Sequence, residues 1–278
     1  DYQKKSKAWR HGLDDKTVRT VRRIYFAMCA EADAIVGELM SALQESGLTD
    51  ETTVIFSSDH GELALEHQQY YKMSLFEGSA RVPLVMAGPG IQTGQRIRTP
   101  VSLVDMAPTI CELSGLEMRE CFDGESLLPL ARGKTSESRG WALASYSGVT
   151  ANTISWMLRK GDYKLIVHEG YRSRLFNLRE DPEELNDCID QEPEKAEELL
   201  AIIDQQVDRK AAYAVWEEYR RHSFAQFRRQ AGRGLYLDNS YGLAEHPSSD
   251  YHDLMNNTFT GWSEKEENRV SEWLGKRD

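Results

Sequence analysis

Apolar residues between Lys16 and Leu43 recur at helical spacing: Val18, Val21, Tyr25, Met28, Ala32, Ile35, Val36, Leu39, Met40 and Leu43. Positions three or four apart share one side of a helix, so the stretch predicts a long amphipathic helix with one broad buried face. Gly47 predicts its stop, and Asp33 and Glu38 fall on the solvated flank. The pattern then changes to short continuous runs. Thr53-Val54-Ile55-Phe56 closes in Ser57-Ser58-Asp59-His60-Gly61, and a second run from Val82 to Ala87 closes in Gly88-Pro89-Gly90. Short apolar runs that end in polar, Gly-loosened turns predict buried parallel strands. Helix followed by strand predicts an α/β layer.

After Gly90 a polar connector leads to Met106–Leu113, a predicted helix with Pro108 in its tolerant first turn and Gly115 at its end. Residues 131–140, ARGKTSESRG, are small and polar and read as a linker. Beyond them, 141–146, 155–159, 163–167 and 174–178 predict short strands, with a hairpin turn at Lys160-Gly161-Asp162. An acidic-led amphipathic helix is predicted from Pro193 to Lys210. The pattern therefore divides into an α/β part over residues 1–133, a small α+β part over 134–210, and an extension over 211–278. The extension carries Trp216, Tyr219, Phe224, Phe227, Trp262 and Trp273, spaced for anchoring on a surface rather than for a core of its own.

Composition narrows the function classes. A net charge of −11 over 278 residues argues against general nucleic-acid binding, which needs a basic face. No run of about 18 apolar residues exists, so no membrane-spanning helix is expected. The N-terminus lacks both Met and a signal-type apolar segment, which suggests a processed chain or a piece of a longer one. None of the four cysteines forms C-x-x-C. Cys111 and Cys121 are close enough in sequence for a disulfide, and buried free thiols are the other reading. Asn256-Asn257-Thr258 is a glycosylation acceptor if the protein is exported.

The candidate chemistry follows the first strand. In open α/β sheets, ligand sites lie beyond the carboxyl ends of strands. Asp59 and His60 stand at such an end, where a carboxylate beside an imidazole could hold a metal; the same pair also describes a capped turn. Lys72, between Tyr71 and Met73, could project at an anion or lie solvated on the surface. His67 reads as a structural or substrate-rim residue. Glu62 and Glu66 have acid/base chemistry, but nothing in the sequence pairs them with a nucleophile. Arg81 is expected to neutralise a buried carboxylate such as Glu77.

Several stretches carry a resemblance in consistent order over residues 16–210: YFAMCAEADAIVGELMSAL, SSDHGELALEH, YYKMSLFEGSARVPLVMAGPG, VSLVDMAPTICELSG, FDGESLLPLARG, MLRKGDYKLI and RLFNLREDPEELND. Together they resemble the sulfatase family of the alkaline phosphatase superfamily. The resemblance implies an α/β domain with a mixed sheet, plus a small C-terminal antiparallel sheet with a helix. On that frame residues 1–133 are the C-terminal part of the catalytic domain. It also implies a divalent cation, usually calcium, and a formylglycine nucleophile made from Cys or Ser. Asp59 and His60 match metal-ligand positions, and Lys72 matches the lysine that contacts the sulfate ester. The histidine is unusual for calcium, which prefers oxygen ligands.

The implied activity is hydrolysis of a sulfate ester on a small molecule or oligosaccharide, a uronate 2-O-sulfate of glycosaminoglycans being the expected substrate. The implied compartment is lysosomal or extracellular. A choline-sulfatase-like enzyme and a phosphonate or phosphate monoester hydrolase are the enzymatic alternatives. A non-catalytic carbohydrate-binding protein is the alternative from another class. The sequence departs from the family in one respect: Cys29 (CAEAD), Cys111 (CELSG), Cys121 (CFDGE) and Cys188 (CIDQE) all lack the C-x-P-S-R frame. The nucleophile is therefore expected in an N-terminal portion outside this chain, and the 278 residues alone are expected to be inactive.

Overall fold

A computed structural model describes residues 13–69, 71–116, 122–134, 138–148, 151, 153–231 and 264–275. Cys121, Asn256 and Trp262, and the side chains of Phe227 and Trp273, lie outside that description. The described residues divide into two compact units, up to Val207 and from Asp208 onward.

Helix α1, Asp15–Glu45, starts at Asp14, whose side chain accepts from the Thr17 N–H at 2.7 Å. It ends in a Schellman turn: Gly47 has φ +71°, and the Gly47 and Leu48 N–H groups bond to Gln44 and Leu43. The helix is as long as the spacing predicts, but its face is not buried. No α1 residue is fully buried, and Ile24 is 58% and Leu39 65% exposed. Val18, Val21, Tyr25, Val36 and Leu43 are half-covered, while Ile24, Met28, Ile35 and Leu39 form an open stripe beside them. Strand β1, Val54–Ser57, pairs with β2, Leu84–Ala87. The pairing is antiparallel, not the parallel arrangement that the apolar runs suggested. Directly opposed residues share a face, so Phe56 and Val85 stand together, both exposed. Between the two strands lies the four-residue helix α2, Glu77–Ala80. Helix α3, Met106–Leu113, and the short α4, Leu128–Ala131, follow.

The small sheet is the antiparallel meander of β3 (Trp141–Tyr146), β4 (Ser155–Lys160), β5 (Tyr163–His168) and β6 (Arg174–Asn177). Lys160 pairs with Tyr163 across the predicted Gly161-Asp162 turn, where Gly161 takes φ +57°. Side chains alternate, so register fixes what each face holds. One face presents Leu158, Leu165 and Leu175 beneath helix α5, Pro193–Gln206, whose Leu199 and Ile203 are fully buried. There Glu198 binds Lys160 at 2.8 Å and Lys195 at 2.5 Å, which hold its carboxyl down to about 2. The other face presents Met157, Ile166 and Phe176, which pack against Leu75, Phe76 and Ala80. The sheet is thus a platform under the segment that contains α2.

The predicted helix 193–210 is two helices. Val207 is extended, and the Asp208 carboxylate accepts from the Ala211 N–H at 3.0 Å to start α6, Arg209–Ala231. Within the second unit Arg220 lies over the Trp216 ring, and α7, Glu264–Gly275, contacts α6.

At the end of β5 the Ser155 hydroxyl bonds His168 Nδ1 at 2.7 Å. Burial and the nearby Arg174 cation push the His168 pKa below its ordinary value. As pH falls through about 6.5 the unfolded chain takes the proton first, so folding loses stability, and the loss is complete below the lowered folded value. Thermal melts should show a larger drop between pH 7.5 and 5 for the natural chain than for His168→Gln; equal drops would refute this.

Candidate functional site

The end of β1 carries the predicted pair. Asp59 Oδ1 accepts from the His60 N–H at 2.9 Å, and Ser58 Oγ donates to the His60 carbonyl at 2.7 Å. This tight turn leaves the Asp59 carboxylate 83% exposed. His60 Nδ1 lies 2.9 Å from the Gly61 carbonyl oxygen, which only accepts. The neutral ring therefore carries its proton on Nδ1 and presents the Nε2 lone pair outward. Lys72 Nζ bonds that Nε2 atom, and Asp59 Oδ2 stands 3.3 Å from it. The structure thus brings Asp59, His60 and Lys72 together, although twelve residues separate His60 from Lys72.

His67 is not part of that trio. Its ring stacks on Phe76, centroids 3.8 Å apart and planes 6° from parallel, and Phe76 sits edge-on to Phe176. Glu62 is engaged elsewhere: Oε1 accepts from the Ala64 and Tyr71 N–H groups at 2.9 and 2.7 Å. That bond closes a loop with unusual backbone. Ala64, Leu65, His67, Gln68 and Tyr71 all have positive φ. Each left-handed non-glycine residue costs roughly 1–2 kcal/mol. The conformation is held by burial of Leu63 and Leu65, by bonds from Leu63 to Tyr71 and Leu65 to Gln69, and by Arg22 of α1 donating to the Ala64 carbonyl at 3.0 Å.

Sequence reasoning missed the residue that joins the two halves of the trio. Ser79, 4% exposed in α2, donates its hydroxyl to the Lys72 carbonyl at 2.6 Å. Its own carbonyl accepts from the Gly61 N–H at 2.8 Å. Sequence reasoning also misassigned the partner of Glu77. Lys164 of β5, fully buried, lies 2.9 Å from Glu77 Oε1, whereas Arg81 is exposed. Lys164 also stands 2.8 Å from Glu184 Oε1, off the hydrogen-bonding direction, and Glu184 Oε2 accepts from the Glu77 N–H at 2.5 Å. Burial pushes the Glu184 carboxyl above its ordinary range, against the pull of Lys164. The signal for Lys164 was present in its alternation: it shares a strand face with inward-pointing Ile166.

Asp59 Oδ2 and His60 Nε2 are close enough to share one cation, and the Nδ1 bond to a carbonyl is the arrangement that orients a ligating imidazole. Among the described residues no group of three or more His, Cys, Asp or Glu side chains converges as a metal site. The pair fits as part of a cation site, not as a whole one. The Nε2 lone pair takes one partner at a time, so a cation there and the Lys72 ammonium compete for it.

The strand end thus brings a carboxylate, an imidazole and an exposed lysine together. A family model described as Sulfatase matches residues 1–116, and one described as N-sulphoglucosamine sulphohydrolase, C-terminal, matches residues 65–213. The chain belongs to the sulfatase family. It is 38% identical over 225 residues to Arylsulfatase K of Danio rerio, covering 78% of this chain and 43% of that protein. It is 36% identical over 228 residues to Arylsulfatase K of Homo sapiens, covering 78% and 42%. The chain thus spans about two-fifths of the length of the curated relatives it matches.

Among solved structures, one holds its substrate D-glucosamine-2-N,6-O-disulfate; it is 26% identical, with TM-score 0.61, over 65% of this chain and 39% of that one. Phosphonate monoester hydrolase of Agrobacterium radiobacter is 28% identical, with TM-score 0.58, over 69% and 43%. These neighbours support the α/β fold with its small antiparallel sheet.

Gly61 packs so closely on the Gly78 carbonyl that a β-carbon would overlap it. Gly61→Ala should push the Asp59-His60 turn off α2 and cost about 1–3 kcal/mol in urea unfolding. An unchanged midpoint with unchanged Gly78 and Ser79 amide shifts would contradict this close approach.

Proposed function

We propose that this chain supplies the cation- and anion-binding half of a sulfuric ester hydrolase. The observation that carries the reading is the meeting of Lys72, His60 and Asp59 at the end of β1 in a member of the sulfatase family. Lys72 is the anion clamp. Its ammonium offers donors to sulfate oxygens and to charge that develops on the leaving oxygen. Asp59 Oδ2 and His60 Nε2 are two ligands of a divalent cation, which is calcium in this reading. When bound, such a cation supplies electrostatic stabilisation to the reacting ester. His60 brings a tautomer fixed through Nδ1, and its Nε2 lone pair is open to the cation once Lys72 turns to the anion. The Asp59 carboxylate is open to solvent and ions in its exposed turn.

The nucleophile comes from residues outside this chain, a formylglycine in the family pattern, because no cysteine here has the required frame. The same outside segment covers the open apolar stripe of α1 and the Phe56–Val85 face. The substrate is a sulfated sugar, and the likeness to Arylsulfatase K favours a uronate 2-O-sulfate of glycosaminoglycans. A lysosomal or extracellular setting is the compartment of this reading; among the described residues no helix is long and apolar enough to cross a membrane.

The likeness to a phosphonate monoester hydrolase motivates a second reading, phosphoryl rather than sulfuryl transfer. Paired assays on aryl sulfate and aryl phosphonate esters, with the protein that contains these residues at the relatives' full length, separate the two. Sulfate turnover should dominate, and Lys72→Ala should lower kcat/KM by about 10²–10³. Equal activity of Lys72→Ala would remove the clamp from the reading. The 278-residue chain by itself should show no turnover. Activity in the purified chain that disappears with Asp59→Ala would overturn the external nucleophile.

A further inference from the structure

The small sheet contributes no side chain to the Asp59–His60–Lys72 trio, yet its buried lysine reaches the turn on which that trio hangs. Lys164 is fully buried and points from the β5 face that packs on Leu75 and Phe76. It pairs with Glu77, the first residue of α2, and with Glu184. Glu184 adopts φ +55°, an unfavourable conformation for a glutamate, and its second oxygen takes the Glu77 N–H. Two residues further along α2, Ser79 binds both the Gly61 N–H and the Lys72 carbonyl. The connection is continuous: Lys164 to Glu77, α2 to Ser79, and Ser79 to the two backbone segments that hold His60 and Lys72.

A cluster meant only to join the sheet to the rest of the chain could sit anywhere along the Leu75–Phe176 contact, and apolar residues would serve there. Here three charged groups converge on the one turn that sets the spacing of the trio. Charged hydrogen-bonded groups have directional geometry that apolar packing lacks.

We propose that Lys164, with Glu77 and Glu184, is a positioning residue: the small sheet sets the distance between Lys72 and the Asp59-His60 turn through the backbone of α2. This rests on the reading of Lys72 as the anion clamp.

A double-mutant cycle in the protein at the relatives' full length tests it. Lys164→Met should lower kcat/KM for an aryl sulfate by roughly 10- to 100-fold, the scale of a small misplacement of a reacting group. In the Lys72→Ala background the same change should cost less than about twofold, because its effect passes through Lys72. Costs that multiply in the double mutant would overturn the proposal while leaving the clamp intact. Where Lys164→Met does not fold, the isosteric Glu77→Gln takes its place in the cycle.

Hydrogen exchange supplies the arm that is independent of turnover. Lys164→Met or Glu77→Gln should speed exchange of the Gly61 amide about tenfold or more, while the ladder amides between β4 and β5 stay protected. Unchanged Gly61 exchange would sink the proposal whatever the activity shows. If Lys72→Ala leaves turnover unaltered but Gly61 exchange rises as expected, the clamp reading fails and the positioning role falls with it, while the coupling of Lys164 to the Gly61 turn is retained.

Discussion

A buried ammonium group constrains this molecule more than any other interaction described. Lys164 has no access to water, and the desolvation of a cation costs several kcal/mol unless anions replace the solvent. Two carboxylates do so, and each comes from a distant part of the chain: Glu77 from the strand-to-strand segment, Glu184 from the turn after β6. Removing the lysine leaves two carboxylates facing each other without a cation, typically a loss of about 3–5 kcal/mol. The positions of α2, of the β6–α5 connection and of β5 are therefore set together. The apolar contacts of Leu75 and Phe76 with Met157, Ile166 and Phe176 supply area, but the charges supply register.

That register matters because the loop above it is strained. Five non-glycine residues between Ala64 and Tyr71 occupy left-handed backbone conformations. Such a loop would relax if its ends were free. Its ends are Gly61 and Lys72, and both are bonded to Ser79. Glu62 closes it from inside, and Arg22 holds it from α1. Strain held at both ends fixes geometry without a ligand, which is what an electrostatic site requires: donors already aimed reorganise little when charge develops.

Much of this was legible in the sequence. The four strands of the small sheet, the Gly161 turn and the Pro108 helix follow from local pattern, because hairpins and helix starts are specified by neighbours. Asp59, His60 and Lys72 stood out because ligand sites lie at strand ends and a lysine beside Tyr71 and Met73 is conspicuous; the structure brings the three together, and their roles belong to the proposed reading. The errors have physical causes. Apolar runs do not encode strand direction, so β1 and β2 were read as parallel. Amphipathic spacing shows that a face is apolar, not that it is covered, so α1 was read as buried. The break at Val207 was readable in Asp208, a good helix cap, but the apolar pattern runs across it. The burial of Lys164 was readable from its alternation with Ile166, but its pairing was not, because Glu77 lies 87 residues before it and Glu184 in a later turn. For the same reason Glu77 was matched to Arg81, its neighbour in the chain, rather than to its neighbour in space.

The open surfaces and the partial site express one condition. Ile24, Met28, Ile35 and Leu39 expose a stripe running from residue 24 to residue 39, about 22 Å of helix, and Phe56 with Val85 exposes one face of a two-stranded sheet. A two-stranded sheet is marginal in water, and an apolar stripe of that length is costly to leave wet. As proposed, the Asp59–His60 pair would give a calcium ion two ligands, where it takes six to eight. In the proposed reading one segment meets all three needs: it covers the stripe, extends the sheet and adds ligands at the strand end. The division of labour is then physical. In that reading the half described here is held by its small sheet and buried charges and is incomplete at β1, at whose end the proposed site lies. Lys72 sits at the boundary between them. Its backbone is fixed by the anchored half through Ser79, and its ammonium reaches His60 Nε2 at the end of β1.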